Sequence, residues 1–223
     1  MKSHAPCRGS RRGRKSVQLE LRPRSWGGAR TGAGRPKAAR SGVPHLTRPE
    51  LARPLPFHVT LRMATHVFNL RSRRSFRVIE KALGEGANRF GMRVVRFSVQ
   101  GNHIHLLVEA DDKGALLRGI KGLSVRLAKG MNHLMKTKGR VLGDRYHARP
   151  LRTPTEVQRA MDYIRDNARK HALEWGELLH RGWVDPYSSE SPQLGIVLPT
   201  PETWLLRVGY KRARARPGPH PRE

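Results

Sequence analysis

Two short apolar runs meet at Gly101-Asn102, and no other stretch narrows the possible folds as much. Met92 to Gln100 carries Val94, Val95, Phe97 and Val99, and Asn102-His103-Ile104-His105-Leu106-Leu107-Val108 follows directly and continues to Glu109. A Gly-Asn step between two such runs is a tight-turn signal, so the pair reads as a β-hairpin and hence as part of an antiparallel sheet. Successive side chains of a strand point to opposite faces, which puts His103, His105 and Leu107 on one side and Ile104, Leu106 and Val108 on the other. Two imidazoles are thus presented side by side by a strand whose reverse face is aliphatic, as a metal-bearing strand requires. A bare His-x-His is more often a pair of locally bonded histidines than a ligand pair, so the rest of the chain has to supply the context.

The flanking sequence supplies the remainder of a sheet. Phe57-His58-Val59-Thr60-Leu61-Arg62-Met63 alternates apolar and polar residues like a half-buried strand. Phe76, Ile79, Leu83 and Ala87 recur at spacings of three and four, predicting a helix from Ser72 to about Phe90 that ends near Gly91. Leu116, Ile120, Leu123, Leu127 and Met131 predict a long helix from Ala115 to about Lys136, broken by Gly139. Its cations Arg118, Lys121, Arg126 and Lys129 read as a solvated face that could also touch phosphates. Val141 to Leu151 is predicted as a fourth strand, edged by Arg145, Tyr146, His147, Arg149 and Arg152.

The next helix, Thr153 to about Leu173, is the best signalled. Thr153 is its N-cap, Pro154 takes the first helical position and Glu156 completes a Thr-x-x-Glu capping box. Val157, Met161, Ile164 and Ala168 form its core stripe, while Tyr163 and Asn167 sit one turn apart on a flank roughly 100° away, so packing dictates neither. Loops are expected beyond Gly176, with Trp183 and Tyr187 closing over the core. The order strand, helix, strand, strand, helix, strand, helix predicts an α+β protein. Its first six elements form a ferredoxin-like antiparallel sheet, a split β-α-β-β-α-β with helices on one face, and the seventh is an added helix.

Charge narrows the partner. The 223 residues include 45 Lys and Arg against 17 Asp and Glu, for a net charge of +28 and a hydrophobic fraction of only 37%. Self-repulsion of that size opposes compaction unless a polyanion neutralises it, and nucleic acid is the commonest one. A membrane is the disfavoured alternative, because no apolar run approaches the roughly 20 residues that span a bilayer. No secretory signal is evident at Met1-Lys2-Ser3 and Cys7 has no partner for a disulfide, so the expected compartment is the cytoplasm, in association with the nucleoid. Residues 1–56, rich in Arg, Lys, Gly and Pro, read as a disordered basic arm. Within it the segment from Trp26 to Lys37, with its Gly34-Arg35-Pro36 core, resembles an AT-hook, although a solvated linker that adds sequence-independent phosphate affinity is the favoured reading. The folded domain is expected over 57–190. A C-terminal extension over 191–223 follows, basic and Pro-rich from Lys211 onward.

A basic protein with paired imidazoles on a central strand, and a tyrosine and an amide on an added helix, has the parts for phosphodiester cleavage by a tyrosine. A phosphodiester is anionic and repels nucleophiles, so a divalent ion has to neutralise it. A phenol, with a reference pKa near 10, is a poor nucleophile until its deprotonation is made easier. Attack by tyrosine conserves the bond energy in a phosphotyrosine, so rejoining needs no nucleotide cofactor.

Residues 101–108 resemble the His-hydrophobic-His motif of the HUH endonucleases. With Tyr163-Ile164-Arg165-Asp166-Asn167 about sixty residues later, the region from 57 to 175 resembles the single-tyrosine transposases, most closely the REP-associated tyrosine transposases. That resemblance implies a DNA transposase that nicks and rejoins single-stranded, hairpin-bearing DNA and works as a homodimer. It implies that His103 and His105 bind Mg²⁺ or Mn²⁺, that Asn167 is the third ligand where the family often has Gln, and that Tyr163 forms a 5′-phosphotyrosine and frees a 3′-hydroxyl.

The DNA contacts are expected at Arg145, His147, Arg149 and Arg152, at Arg118 and Lys121, and at Arg35 in the arm. Tyr146 is the rival nucleophile, and His58, His147 and His171 read as surface or packing histidines. Trp26, Trp175, Trp183 and Trp204 are too scattered to define a base-stacking platform. Two other functions compete: a catalytically inactive or domesticated hairpin-binding relative, and a ribosome-associated RNA binder.

Overall fold

A computed structural model describes residues 53–174 and 176–213. The arm up to residue 52, with Cys7, Trp26, the AT-hook-like segment and Arg35, lies outside the described residues, as do Trp175 and the tail beyond residue 213. The elements in chain order are β1 (Leu55–Arg62), α1 (Arg73–Gly86), β2 (Asn88–Arg89), β3 (Met92–Val99), β4 (His103–Ala110), α2 (Lys113–Met135), β5 (His147–Pro150), α3 (Pro154–Glu174) and α4 (Trp204–Arg207), closed by a 3₁₀ turn at Gly209–Arg212. The sheet order is β2-β3-β4-β1-β5 with every neighbour antiparallel. This is the ferredoxin-like arrangement, with β1 inside the sheet beside the histidine strand.

Strand register sorts the side chains into two faces. Val59, Leu106 and Phe97 lie opposite one another across β1, β4 and β3, and so do Thr60, His105 and Ser98. The first set, with Ile104, Val108 and Val94, is fully buried and all aliphatic or aromatic. Helices α1 and α2 cover it: the Phe76 ring sits 6.4 Å from Phe97, and a Cβ added at Gly119 would come within 2.6 Å of Met92, so that close helix–sheet approach needs glycine. Each fully buried side chain of this kind stabilises the fold by roughly 1.5–3 kcal/mol. Helix α3 covers the opposite face, with Tyr163 perpendicular to His105 at 5.1 Å between ring centroids.

Local chemistry explains the helix ends. Asp112 accepts from Ala115 N at 2.6 Å to start α2, two residues ahead of the predicted Ala115. The Thr153/Glu156 capping box forms reciprocally, Glu156 N donating to Thr153 Oγ1 and Thr153 N donating to Glu156 Oε2, both at 3.2 Å.

Three segments depart from expectation. Helix α1 stops at Gly86 rather than near Phe90, because Phe90 and Gly91 both take positive φ (59° and 74°) and turn the chain so that β2 pairs back onto β3. The fourth strand shrinks from the predicted 141–151 to His147–Pro150, leaving an isolated bridge between Met63 and Leu142. The segment beyond Gly176 is more than loop. Val99 N donates to Tyr187 O and Ser189 N to Phe97 O, both at 2.9 Å, covering the edge of β3 that the two-residue β2 leaves open. Further on, Leu205 and Leu206 join the core, and the fully buried Glu109 carboxylate accepts from Glu202 N and Thr203 N at 2.7 and 2.8 Å.

Candidate active site

The polar face of the sheet collects the chemistry. His103 and His105 project from β4 with ring centroids 4.7 Å apart and ring planes at 88°. His103 Nδ1 lies 2.8 Å from Asn102 Oδ1, so Nδ1–H donates to the amide oxygen and Nε2 is left open. His105, 5% exposed, has Nδ1 at 3.1 Å from His58 Nε2 and 3.2 Å from Thr60 Oγ1. Its Nε2 faces the Tyr163 hydroxyl at 3.5 Å, the outer limit of a hydrogen bond. The phenol belongs to the same chain as the histidines and is 42% exposed, within reach of a substrate.

Asn167 lies one turn beyond Tyr163 on α3. The sequence put both on a flank free of packing demands, but Asn167 is only 3% exposed. Among the described residues its Nδ2 is the buried side-chain nitrogen or oxygen with no hydrogen-bond partner. An orphaned amide group is costly to bury, and rotation about its last bond offers Oδ1 in the same place. No group of three or more His, Cys, Asp and Glu side chains among the described residues is arranged to hold an ion. A three-donor site built on His103 and His105 would therefore draw its third protein donor from a neutral oxygen, and the Asn167 amide fits that need.

Burial and neighbouring basic groups set the charge of the imidazoles. Burial first, then the neighbouring His103, His58 and His171, pushes His105 down to about 3. Burial, then His147 and Arg149, pushes His58 down to about 4, and burial with His171 and Arg62 lowers His103. All three imidazoles are held neutral and so keep the lone pairs that ligation needs. Burial raises the Tyr163 phenol above its ordinary value, so the protein alone disfavours the phenolate.

Two cavities adjoin these groups. One of about 690 Å³ opens beside His103 and is lined by Asn69, Arg71, Gln100, His171 and Trp183. The other, about 330 Å³, lies against Tyr163 and His58 and carries Arg149 and Arg159.

The expected DNA contacts divide between the two sides of the sheet. His147 and Arg149 pair with Thr60 and His58 and so share the face of the histidines. Arg149 also meets Glu156 at 3.3 Å. Arg145 and Arg152 are exposed on either side of β5. Arg118 and Lys121 are exposed on α2, across the sheet, and are not brought to this site. Tyr146, the rival nucleophile, is half-buried against the hydrophobic core. His58, read as a surface or packing histidine, packs against the His105 and Tyr163 rings and is in addition bonded to His105, and His171, read the same way, borders the larger cavity. The signal for His58 was present: strand alternation puts His58, Thr60 and Arg62 on one face, and the ferredoxin-like order sets that strand beside β4.

Residues 55–167, just over half of the chain, match the family model described as IS200-like transposase. Among solved structures, a REP-associated tyrosine transposase bound to a REP hairpin is similar at 18% identity and a TM-score of 0.48, covering 66% of this chain and 83% of that one. A candidate transposase from Deinococcus radiodurans R1 is similar at 15% identity and a TM-score of 0.38, covering 63% of this chain and 99% of that one. No curated protein matches the sequence.

Proposed function

The chain belongs to the IS200-like transposase family, and from that premise we propose that it cuts and rejoins single-stranded, hairpin-bearing DNA with Tyr163 as the nucleophile. The observation that carries this reading is the approach of the Tyr163 hydroxyl to His105 Nε2 at 3.5 Å within one chain, with an unpartnered buried amide one turn further along the same helix. The catalytic domain is residues 57–190 together with the segment through Leu206 that packs into its core, and the basic arm over 1–56 adds phosphate affinity.

His103, His105 and Asn167 would hold the divalent ion, and two imidazoles suit Mn²⁺ better than Mg²⁺, which prefers an all-oxygen shell. Bound there, the ion would neutralise the scissile phosphate and ease ionisation of the phenol. The protein's own groups do the rest. The half-exposed Tyr163 hydroxyl gives up its proton to water, and its oxygen attacks phosphorus. The bond to the 3′-oxygen breaks, that oxygen leaves as a hydroxyl after taking up a proton, and the 5′-phosphate stays on Tyr163. Arg149 and Arg159, beside the phenol, steady the neighbouring phosphates. Attack by a second 3′-hydroxyl on the phosphotyrosine reverses the step and rejoins the strand. A homodimer, as the family resemblance implies, would carry two such sites, and the cis approach of Tyr163 to His105 supports each being completed within its own chain.

The test is to incubate the protein with Mn²⁺ and a labelled single-stranded hairpin oligonucleotide and to look for a denaturation-resistant adduct. Tyr163→Phe should reduce the adduct by roughly a thousandfold or more while leaving binding intact. An unchanged yield would move the nucleophile to Tyr146 or elsewhere.

A further inference from the structure

Each imidazole proposed to hold the ion has its Nδ1 tied to a protein group, but the two ties differ. His103 is bonded to its chain neighbour Asn102, whereas His105 is bonded across the sheet to β1. In the β1–β4 register Thr60 stands opposite His105, and His58, opposite Leu107, is its diagonal neighbour. The His58 and His105 rings are 5.2 Å apart and tilted by 35°, which brings His58 Nε2 to 3.1 Å from His105 Nδ1. The other side of His58 packs edge-on to Tyr163 at 5.5 Å and borders the smaller cavity.

We propose that His58 is the positioning residue of the ion site: its Nε2 accepts the Nδ1–H of His105 and so holds the His105 Nε2 lone pair toward Tyr163 and the ion. This rests on the ion site proposed above. A neutral imidazole carries one ring proton, and ligation through Nε2 requires that proton on Nδ1. His105 is too buried for water to accept it freely, so an acceptor has to be supplied by the protein. Among the described residues, Thr60 Oγ1 at 3.2 Å is the other group bonded to that nitrogen. That hydroxyl, like His58, can donate or accept, and it is the slightly longer contact, so Thr60→Val is the control that separates the two groups. Without an ion, His58 and His105 can exchange roles, with His105 carrying its proton on Nε2 toward the phenol. Ion binding excludes that arrangement, and His58 becomes the acceptor. Outer groups of this kind orient ligands and tune affinity, and their removal typically costs about 10- to 100-fold in metal binding.

The experiment measures Mn²⁺ affinity by calorimetry, and adduct yield against Mn²⁺ concentration, for the full-length protein and three variants. His58→Leu keeps bulk and removes the acceptor, and its Mn²⁺ dissociation constant should rise roughly 10- to 100-fold, with adduct yield restored at saturating Mn²⁺. His58→Gln places an amide oxygen near the former Nε2 and should stay within about threefold of wild type, as should Thr60→Val. A purely structural role would lower the melting temperature and the yield at every Mn²⁺ concentration, without separating Gln from Leu. The proposal is overturned if Leu and Gln weaken Mn²⁺ equally, if neither does so, or if Thr60→Val alone reproduces the loss. Failure of the wild-type protein to bind Mn²⁺ would instead overturn the ion site itself.

Discussion

The two faces of the sheet are both covered by helices but are chemically opposite, and the two cavities beside the histidines and Tyr163 open on the polar one. Under α1 and α2 the strand positions Val59, Val94, Phe97, Ile104, Leu106 and Val108 are all apolar, and density is what holds that side together. Under α3 the same strands contribute His58, Thr60, Ser98, His103 and His105, and that side contains three neutral imidazoles and an unpartnered amide. A sheet that sealed both faces with aliphatics would be more stable. The polar face gives up stability in exchange for donors aimed at one point, as sites commonly do.

Adjacent residues on β4 give the sharpest way to break this contrast. His105→Ala should cut adduct formation by roughly a hundredfold or more with little loss of stability, whereas Leu106→Ala should cost about 2–5 kcal/mol of stability while the remaining folded protein keeps its activity. Adduct assays paired with denaturant melts read both, and a similar profile for the two variants would abolish the distinction between faces.

Asn167→Leu should separate stability from function in the other direction. Replacing the orphaned amide with an isosteric apolar group should raise stability in EDTA by about 1–2 kcal/mol while weakening Mn²⁺ binding at least tenfold. A destabilised variant would mean that the amide has a partner in solution.

The pH dependence of the ion-free protein is the third test. His58 and His105 titrate near 4 and 3 in the folded chain against 6.5 when unfolded, so between those limits the unfolded chain binds more protons. Stability is complete above pH 6.5 and should fall as the pH drops toward 4, by up to roughly 1.4 kcal/mol per pH unit for each histidine. His58→Gln should flatten part of that slope in thermal melts at pH 4.5–7, and a flat wild-type profile would show that these imidazoles are not held neutral.

The smallest expected effect compares cations on the two sides. Arg149→Ala should lower the slope of log affinity against log salt by about one for a single-stranded oligonucleotide, and Arg118→Ala on α2 should change it less. Equal slopes would extend the DNA path across the other face.

Much of this molecule was legible from local patterns. The apolar periodicities placed the major helices and the first three strands to within a few residues, the fourth strand began six residues later than expected, and the Thr153/Glu156 pair started α3 where it was expected. The missed boundaries have local causes. Phe90 is a bulky residue in a left-handed conformation, which no propensity would favour, and the bridge at Met63 and Leu142 is too short to read as a strand.

By itself the sequence determined the elements, the alternation that puts His103 and His105 on one face, and the one-turn spacing of Tyr163 and Asn167, because these follow from backbone periods of 2 and 3.6. Only the tertiary structure decided which face α3 covers, and hence that Asn167 is buried, that Tyr163 meets His105, that His58 reaches across from β1, and that Arg118 and Lys121 stand on the other side. The physical reason is that periodicity describes a segment against its own axis. The side on which a segment packs is set by burial summed over the whole chain, and no local window contains that sum.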